Sequence, residues 1–192
     1  MNNNSLIVAE NIGYKINENK LFHRMSFNID RGEALHIKGS NGSGKSTLIR
    51  IILGITQPVK GTIENKSTKE ICYLGHKNAL KSYLTLEDNI NLMQLNNNMM
   101  LNDYLEKLEL KKYKDVTVSN LSFGQQKKLA LLRVFLNNSD LIILDEPFVG
   151  LDDSANSELT AFLNNELENN KSVIFTSHIP CNINSKIIEI PQ

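Results

Sequence analysis

The stretch GSNGSGKST, Gly39 to Thr47, constrains the fold of this chain more than any other part of it. It matches the phosphate-binding loop pattern G-x-x-x-x-G-K-[ST]. Glycines let consecutive backbone N–H groups turn inward around an anion, because a positive φ carries no Cβ penalty there. Lys45 is then expected to reach the β- and γ-phosphates of a nucleotide, and the Ser46 hydroxyl to ligate Mg²⁺. The expected nucleotide-binding residues are Gly39, Ser40, Asn41, Gly42, Ser43, Gly44, Lys45, Ser46 and Thr47.

The flanking residues place this loop between a strand and a helix. Ala34 to Ile37 form an apolar run typical of a short buried strand, and STLIRIILGI has the apolar density of a helix packed on a sheet. The positive end of that helix would point at the same anion. A glycine-rich turn that contains Gly-Lys-Ser by coincidence is the alternative, and the strand-loop-helix order disfavours it. The apolar residues expected on the helix are Leu48, Ile49, Ile51, Ile52 and Ile55.

Charge and cysteine content limit the classes of protein to consider. The chain has 192 residues, enough for one domain with a substantial core. Its 21 Lys and Arg residues balance 21 Asp and Glu residues, so no overall charge indicates binding to nucleic acid or to an anionic membrane. Cys72 and Cys181 stand in no metal-ligand spacing, and we expect both to be buried structural thiols in a reducing compartment.

The opening residues, MNNNSLIVAE, bear on where the chain resides. They lack the basic flank and the long apolar segment of a signal peptide. No stretch approaches the ~18 consecutive apolar residues of a membrane span. The chain by itself is therefore expected to be soluble and cytoplasmic.

Apolar and polar runs alternate along the chain as in an α/β fold. Before the loop, apolar stretches broken by NENK and DRG predict antiparallel strands. Later strands are predicted near Thr62 and Ile63, from Ile71 to Leu74, and from Leu141 to Leu144, the last buried on both faces. The stretch ANSELTAFLNNELENN predicts a helix, SVIFTSH a strand that ends at His178, and KIIEIPQ a last edge strand.

Helical patterns cluster in the middle of the chain. Thr85 followed three residues later by Asp88 predicts a capping box, and MLNDYLEKLEL repeats apolar residues at helical spacing. Ser122 is a candidate N-cap for the helix in NLSFGQQKKLALLRVFL. This helical portion, about 81–125, interrupts the strand-helix alternation. It is therefore predicted to be an inserted subdomain.

Two adjacent acids, Asp145 and Glu146, stand at the carboxyl end of a predicted buried strand, where open α/β sheets place their ligands. A phosphate-loop enzyme holds Mg²⁺ through the loop hydroxyl and such an acid, which fits Asp145. Glu146 is then free to orient and activate a water molecule. Two solvated acids at a strand end are the alternative. His178 ends the next strand and is expected near the same crevice, although an ordinary core or surface histidine is the commoner occurrence.

The order of the motifs GSNGSGKST, LSFGQQKKLALLRVFL, LIILDEP, GLDD and TSH resembles that of ATP-binding-cassette (ABC) ATPases over essentially the whole chain. The specific part is LSxGQ shortly before LDEP, since a phosphate loop alone defines a very broad superfamily. The resemblance implies an α/β P-loop NTPase fold with a RecA-like core, an antiparallel β subdomain and a small inserted helical subdomain. All of it would form a single ABC ATPase domain over 1–192.

The resemblance also implies roles for individual residues. Two cassettes would pair head to tail as a homodimer that sandwiches two ATP molecules. Asp145 would be the Mg²⁺-linked acid, Glu146 the catalytic carboxylate and His178 the switch histidine. Tyr14 would be the adenine-stacking aromatic, although from spacing alone it is equally an ordinary strand tyrosine. The residues at the partner's ATP would be Ser122, Gly124 and Gln125, and those of the loop that communicates across the dimer Gly150, Leu151 and Asp152.

Two residues depart from the family pattern. Phe123 occupies the signature position that usually holds glycine, so a bulky ring must fit close to the dimer interface. His76 stands where the family has its glutamine loop. The chain resembles the ATP-binding export proteins of cytochrome c biogenesis in this histidine, in the run YLGHKNALKSYLTLEDNINLM and in the double glutamine of the signature helix.

By this resemblance the chain is an ATPase that powers a haem exporter of cytochrome c biogenesis. Its cofactors would be ATP and Mg²⁺, and its partners transmembrane permease subunits at the cytoplasmic face of the inner membrane, with no nucleic acid. One alternative is the ATPase of another small ABC transporter. Another is a soluble ABC ATPase acting on DNA or ribosomes, although such proteins usually carry coiled coils, zinc insertions or tandem cassettes. A purely structural nucleotide-binding module is a third, disfavoured by Glu146 and His178.

Overall fold

The computed structural model describes residues 5–67 and 70–190, which form two β-sheets with helices packed between and around them. The helices and strands are, in chain order, β1 (Ser5–Ile16), β2 (Asn19–Asp30), β3 (Ala34–Lys38), α1 (Lys45–Ile52), β4 (Lys60–Asn65), β5 (Ile71–Leu74), α2 (Leu86–Leu92), α3 (Leu101–Lys107), α4 (Phe123–Phe135), β6 (Leu141–Asp145), α5 (Asp153–Glu168), β7 (Ser172–Thr176) and β8 (Lys186–Glu189). Single turns of 3₁₀ helix lie at Lys111–Tyr113 and Val118–Asn120.

The larger sheet is parallel and has the strand order β5-β6-β7-β3-β8. Every residue of β6 and β7 is buried, which is why both read as unbroken apolar runs. Because the strands are parallel, their carboxyl ends meet at one edge, where Asp145 pairs with Thr176 and Ile37 pairs with Thr176 from the other side. The predicted tail strand is β8, at the edge of this sheet beside β3. The two residues after Ile190 lie outside the described part of the chain.

The smaller sheet is antiparallel, as the sequence predicts, with the order β2-β1-β4. The strands β1 and β2 form a hairpin, and β4 pairs with the opposite edge of β1. Its inward side chains, such as Ile7, Ile12 and Phe22, pack with α1 and one face of the parallel sheet. The helices α2 to α5 cover the other face in a second apolar core. The α/β fold with an antiparallel sheet is therefore confirmed.

Helix α1 begins where the sequence predicts but ends earlier. Leu48, Ile49 and Ile51 are fully buried, in agreement with a helix packed on a sheet. Ile55 lies beyond the end of the helix and is 67% exposed, so the prediction that it packs inward is wrong. The chain turns away at Gly54, whose φ is +73°, a conformation that the helix cannot continue through.

The middle of the chain contains α2, α3, the two 3₁₀ turns and the start of α4. Thr85 caps α2 with the predicted capping box: its side chain accepts a hydrogen bond from the Asp88 N–H, and the Asp88 side chain accepts one from the Thr85 N–H. Asn89, which the sequence analysis did not single out, is buried and holds the preceding loop through hydrogen bonds with the backbone of Lys81 and Thr85. These elements occupy the region predicted as an inserted subdomain, and its boundaries at about 81–125 stay a prediction.

The two cysteines differ in their surroundings. Both are free thiols. Cys72 is buried in β5, as expected, and burial raises its pKa to about 11. Cys181 is only partly buried in the segment after β7, so the expectation of a buried thiol is wrong there.

Candidate functional site

The phosphate loop joins β3 to α1 at the carboxyl edge of the parallel sheet. Gly44 caps the helix with a φ of +104°, and Gly42 has a φ of +82°. A side chain on Gly44 would also press on Leu21 and Phe22 of β2, at 3.3 Å, whereas the space around Gly42 is open. Backbone conformation therefore favours glycine at both positions, and close packing against Leu21 and Phe22 also disfavours a side chain at Gly44.

The Lys45 ammonium lies inside the loop. It donates hydrogen bonds to the carbonyl oxygens of Gly39, at 2.8 Å, and Ser40, at 3.1 Å. It also lies 3.1 Å from Nε2 of His178. The Ser43 hydroxyl is buried, and no described residue forms a hydrogen bond with it. The loop thus presents a cation and an unpaired buried hydroxyl to the same space, a combination that suits a phosphate group.

Asp145 is held by two hydroxyl groups. The Ser46 hydroxyl donates to Oδ2 at 2.7 Å, and the Thr176 hydroxyl donates to Oδ1, also at 2.7 Å. Thr176 also accepts a hydrogen bond from the backbone N–H of Glu146 at 2.8 Å. One buried hydroxyl on β7 therefore fixes both acids at the end of β6. The contact between Ser46 and Asp145 joins the two side chains that the sequence predicts as Mg²⁺ ligands.

Glu146 adopts an uncommon backbone conformation for a side chain of its size, with a φ of +52°. Its Oε2 accepts a hydrogen bond from the backbone N–H of His178 at 3.2 Å. Because the Lys45 ammonium can only donate, Nε2 of His178 accepts from it and carries no proton in this arrangement. Glu146 Oε1, 3.4 Å from the same nitrogen, is therefore buried without a hydrogen-bond donor among the described residues.

These groups line one cleft of about 540 Å³, a size typical of small-molecule sites. Only about 3% of Asp145 and 9% of Glu146 is exposed, which argues against two solvated acids at a strand end. His76, exposed just after β5, stands in the wall of this cleft, as does His178 after β7. The residues that line it are Ile16, Leu21, Asn41, Gly42, Gly44, Lys45, Ser46, Thr47, His76, Asp145, Glu146, Val149 and His178.

Tyr14 does not line this cleft. Its ring packs against Phe22 of the neighbouring strand, with the ring centroids 6.4 Å apart. Ile16 and Leu21 line the cleft at this side instead. Stacking of Tyr14 on adenine stays a prediction, and the apolar wall that the structure does contain was missed by the sequence analysis.

The signature residues lie at a second concave surface that shares no residue with the first. Ser122 caps α4, since its hydroxyl accepts from the backbone N–H of Gln125 at 3.2 Å and Gln125 Oε1 accepts from the Ser122 N–H at 2.8 Å. Lys128, one turn along, forms an ion pair of 2.7 Å with Asp152. The Asp152 pKa is lowered chiefly by the hydrogen bond from Lys128 and further by the Ala155 backbone N–H that it caps. Within one chain the signature is thus separate from the phosphate loop.

Phe123 is 60% exposed at the first position of α4. Its ring lies beside Gly150 and occupies the space that a side chain there would need, since an added Cβ would stand 2.3 Å from a ring carbon. A Cβ on Gly124 would in turn meet the Gly150 carbonyl at 2.7 Å. The signature and the loop from Gly150 to Asp152 are therefore in tight contact, and the phenyl ring forms part of the exposed surface beside them.

Sequence analysis missed Thr176 and Lys127. Thr176 carries a detectable signal, because a hydroxyl at the carboxyl end of a buried apolar strand needs a partner. Lys127 is only 3% exposed on α4, and burial lowers its pKa against the opposing effect of the Asp145 and Glu146 carboxylates. Nothing in the helical periodicity distinguishes it from the more exposed polar residues of this helix.

The arrangement of ligands bears on the kind of metal site this can be. Among residues 5–67 and 70–190, no three or more His, Cys, Asp or Glu side chains cluster as a metal-binding group. Mg²⁺ usually takes one or two protein oxygens together with nucleotide phosphates and water. Ser46 and Asp145, 2.7 Å apart beside the phosphate loop, fit that donor set.

Comparisons with known proteins agree with this geometry. Residues 22–149 match the ABC transporter family. The cytochrome c biogenesis ATP-binding export protein CcmA of Histophilus somni is 35% identical over 204 residues, covering 97% of this chain and 94% of that protein. Its counterpart in Nitrosococcus oceani is 34% identical, covering 95% and 90%. A solved ATP-binding subunit of an ABC transporter has the same fold, with a TM-score of 0.81 at 24% identity over 96% of this chain and 85% of that one.

Membrane association is a separate question from nucleotide binding. No helix in the described part of the chain is long and apolar enough to cross a membrane.

Proposed function

We propose, from the premise that this chain belongs to the ABC transporter family, that it powers the haem exporter of cytochrome c biogenesis. As a member of this family the chain binds ATP and is an ATPase coupled to transport. The proposal extends that statement to Mg²⁺, to particular residues, to a dimer and to the substrate that is exported.

The proposal that this chain hydrolyses ATP at Glu146 rests on one side-chain oxygen of that residue, Oε1. Oε2 is anchored by the His178 N–H, whereas Oε1 is buried and receives a hydrogen bond from none of the residues that the structure describes. A buried carboxylate oxygen that lacks a donor accepts one strongly, so Oε1 would bind and orient a water molecule and take its proton. The γ-phosphate of bound ATP would supply the electrophile that this water attacks, with Mg²⁺ neutralising the charge that develops.

Lys45, Ser46 and Asp145 would hold the nucleotide. On binding, the Lys45 ammonium would exchange its hydrogen bonds to carbonyl oxygens for hydrogen bonds to negatively charged phosphate oxygens. The Ser46 hydroxyl and the Asp145 carboxylate, which lie in contact, would hold the Mg²⁺ ion. Thr176 would keep Asp145 in position through Oδ1.

The two histidines of the cleft would sense the reacting phosphate. The exposed His178 ring lies between Lys45 and Glu146 and would hydrogen-bond the γ-phosphate or Glu146. His76 enters from the loop after β5, at the family's glutamine-loop position, and would connect the cleft to the membrane subunits.

A homodimer would complete each site. The signature surface and the cleft do not meet within one chain, and the capped N-terminus of α4 is suited to an anion. In a head-to-tail pair, Ser122, Gly124 and Gln125 of one copy would face the ATP held by the other. Each nucleotide would then lie between two chains.

The choice of haem rests on the relatives. Proteins at least 34% identical over nearly the whole chain bear the name of cytochrome c biogenesis ATP-binding export protein. The chain carries the histidine at position 76 that the sequence analysis associates with that subfamily. We infer that it attaches to permease subunits at the cytoplasmic face of the inner membrane, with haem as the exported molecule.

The catalytic part is tested with Glu146→Gln. We expect ATP affinity to be kept, turnover to fall about 100-fold or more, and an ATP-bound dimer to accumulate, because the amide cannot take the proton of water. Size-exclusion chromatography with light scattering and a phosphate-release assay measure these effects. Glu158→Gln, in the middle of α5, is the matched control and should behave as the unaltered chain. Monomeric Glu146→Gln at saturating ATP and Mg²⁺ would refute the sandwich.

The transport part needs the native membrane. The tagged cassette would be purified from solubilised membranes of its own cell, and the accompanying chains identified by mass spectrometry. Membrane subunits of the cytochrome c assembly system are the expected partners. A different permease would keep the ATPase and reject the haem assignment, and ribosomes or DNA-repair proteins would reject the transporter itself.

A further inference from the structure

His36 lies in the middle of β3, three residues before the phosphate loop, and has no role in the site described so far. The side chain is buried, with 9% of the residue exposed. Its ring stacks on Phe175 of β7, with the centroids 4.5 Å apart and the planes at 19°. Nε2 lies 3.1 Å from the carbonyl oxygen of Ser177. Because a carbonyl only accepts, Nε2 carries the proton and donates it.

The Ser177 carbonyl and the His178 N–H belong to the same peptide unit. His36 binds this unit on the carbonyl side, and Glu146 Oε2 binds it on the N–H side. The Ser177 side chain also closes a turn, since its hydroxyl donates to the Ile179 carbonyl at 2.7 Å and accepts from the Ile179 N–H at 3.0 Å. Rotation of the peptide plane would break hydrogen bonds on both sides.

We propose that His36 is a positioning residue for ATP hydrolysis, which clamps the peptide between Ser177 and His178 and so aims the His178 ring at the phosphate loop. The inference rests on the proposed function of His178 and Glu146. The peptide unit connects the two sides of the site: when its orientation changes, the His178 ring leaves Lys45 and Glu146 Oε2 loses its anchor. His36 itself touches neither the nucleotide-binding loop side chains nor Glu146 in the contacts described above.

A donor at this position is what the clamp requires. Stacking on Phe175 fixes the plane of the His36 ring, and this holds Nε2 in the orientation that donates to the Ser177 carbonyl. Burial favours the neutral ring, which keeps one N–H for the Ser177 carbonyl. An apolar side chain of similar volume would preserve packing against Phe175 but leave that buried carbonyl unpaired. The strand would remain and the clamp would be lost.

Two variants separate the hydrogen bond from packing. His36→Gln keeps a donor, and His36→Met fills the space without one. We expect His36→Met to lower kcat about tenfold while the KM for ATP stays within about twofold, because the reacting groups are misaligned after binding. His36→Gln should recover kcat to within about threefold of the unaltered chain. His36→Leu serves as the second donor-free variant if His36→Met does not fold.

A second background identifies the residue through which His36 acts. In chains that already carry His178→Ala, His36→Met should cause a smaller loss of kcat than in the unaltered chain, because only the backbone anchor of Glu146 Oε2 is then left to disturb. An equal loss in both backgrounds, or a His36→Gln chain as slow as His36→Met, would overturn the proposal.

Amide hydrogen exchange tests the clamp without any ATPase activity. In His36→Met we expect the His178 amide to exchange about tenfold faster, while the amide of Ile143 in β6 keeps its rate. An unchanged His178 amide would overturn the proposal whatever the kinetics. If the unaltered chain has no ATPase activity but the His178 amide still exchanges faster in His36→Met, the proposed function is refuted while the positioning of this peptide by His36 stands.

Discussion

Asp145 and Glu146 show how neighbouring residues acquire different chemistry from their surroundings. Asp145 ends a buried strand and accepts hydrogen bonds from two hydroxyl groups. Glu146 leaves the strand with a φ of +52°, which turns its side chain toward the loop after β7. Strain of this kind costs about 1–3 kcal/mol and persists where the surroundings hold the residue in place. Thr176 and the His178 peptide provide that support.

Lys45 gives the most direct prediction for a single residue. Removal of its ammonium in Lys45→Ala takes away charge-assisted hydrogen bonds to phosphate, each worth about 1.5–3 kcal/mol. Affinity for ATP should therefore fall about 10- to 100-fold or more in an isothermal titration. Lys60→Ala, an exposed lysine on β4, is the control and should bind as the unaltered chain does. An unchanged titration of Lys45→Ala would remove the phosphate-loop assignment.

His36 gives a prediction about pH and stability. Burial lowers its pKa below 6.5, Lys38 and His178 lower it further, and the Ser177 carbonyl and Glu146 oppose the shift. Between the lowered pKa and about 6.5 the unfolded chain binds a proton that the folded chain does not, so stability rises with pH. The contribution is full above pH ~6.5 and is lost as pH falls, by at most about 1.4 kcal/mol per pH unit.

Urea unfolding at pH 7.5 and pH 5.5 measures this effect. The unaltered chain should lose more free energy of unfolding between the two pH values than His36→Gln, because the glutamine side chain at position 36 does not titrate. His23→Gln, on the exposed side of β2, should follow the unaltered chain. Equal losses in all three chains would show that His36 does not contribute.

At the scale of single residues, the sequence predicts groups whose chemistry is tied to a motif. Gly44, Lys45 and Ser46 are fixed by the loop pattern, and the pair Asp145 and Glu146 by its place after an apolar run. Thr176 and His36 act through contacts between strands that are far apart in the chain. No local pattern carries that information, because it depends on the strand order of the sheet.

Helix α4 and the loop before α5 behave as one element. Gly150 has a φ of +83°, and the Phe123 ring occupies the space where a side chain of residue 150 would lie. In Gly150→Ala the new methyl group would meet the ring at 2.3 Å and would also carry the strain of a left-handed conformation. Gly42 is a natural control, because its φ of +82° is nearly the same and its surroundings are open.

We therefore predict that Gly150→Ala costs more stability than Gly42→Ala. The strain alone is worth about 1–2 kcal/mol in each. In Gly150→Ala the exposed Phe123 ring must also turn to another side-chain conformation, which adds about 0.5–1 kcal/mol. In a chain that already carries Phe123→Ala, the excess should vanish. Urea titration without nucleotide measures the free energy of unfolding of the unaltered chain, of Phe123→Ala, and of each glycine variant in both backgrounds. An excess that survives in Phe123→Ala would mean that the ring is not the obstacle.

Element types follow from the sequence better than their ends and contacts. The capping box at Thr85 and the N-cap at Ser122 were predicted from the sequence and are confirmed. The second half of the box at Ser122, the Gln125 side chain, was not predicted. The early end of α1 was not predicted either, since Ile55 continues the apolar run beyond the turn at Gly54. The ring of Phe123 over Gly150 joins residues of two separate motifs. The sequence shows that Phe123 departs from the family pattern, but it does not show that the ring packs against Gly150.

At the scale of the molecule, one chain carries two complementary half-sites, the phosphate-loop cleft and the signature surface, on separate parts of its surface. The parallel strands bring the phosphate loop, the acids and His178 to one edge, while α4 presents its capped end elsewhere. The order of motifs along the chain predicts which groups exist. It contains nothing about the distance between two surfaces, so the separation of the signature from Lys45 became visible only in three dimensions.

Head-to-tail pairing predicts that two defective chains can complement each other. Ser122→Asp keeps a good N-cap but sets a negative charge where the partner's γ-phosphate would lie. In the Glu146→Gln background, neither Lys45→Ala nor Ser122→Asp chains should dimerise with ATP and Mg²⁺. Their mixture should form a heterodimer, because it contains one site with an intact Lys45 from one chain and an intact Ser122 from the other.

Light scattering of the mixture, with one chain carrying a mass tag, detects that heterodimer, and a single ATP per pair is the expected stoichiometry. Ser122→Asn is the matched control, since it caps α4 without adding charge and should still form a homodimer. If Ser122→Asp chains pair with themselves as well as Ser122→Asn chains do, the signature does not face a phosphate. If the mixture stays monomeric while Ser122→Asn pairs, the two halves of a site do not come from opposite chains.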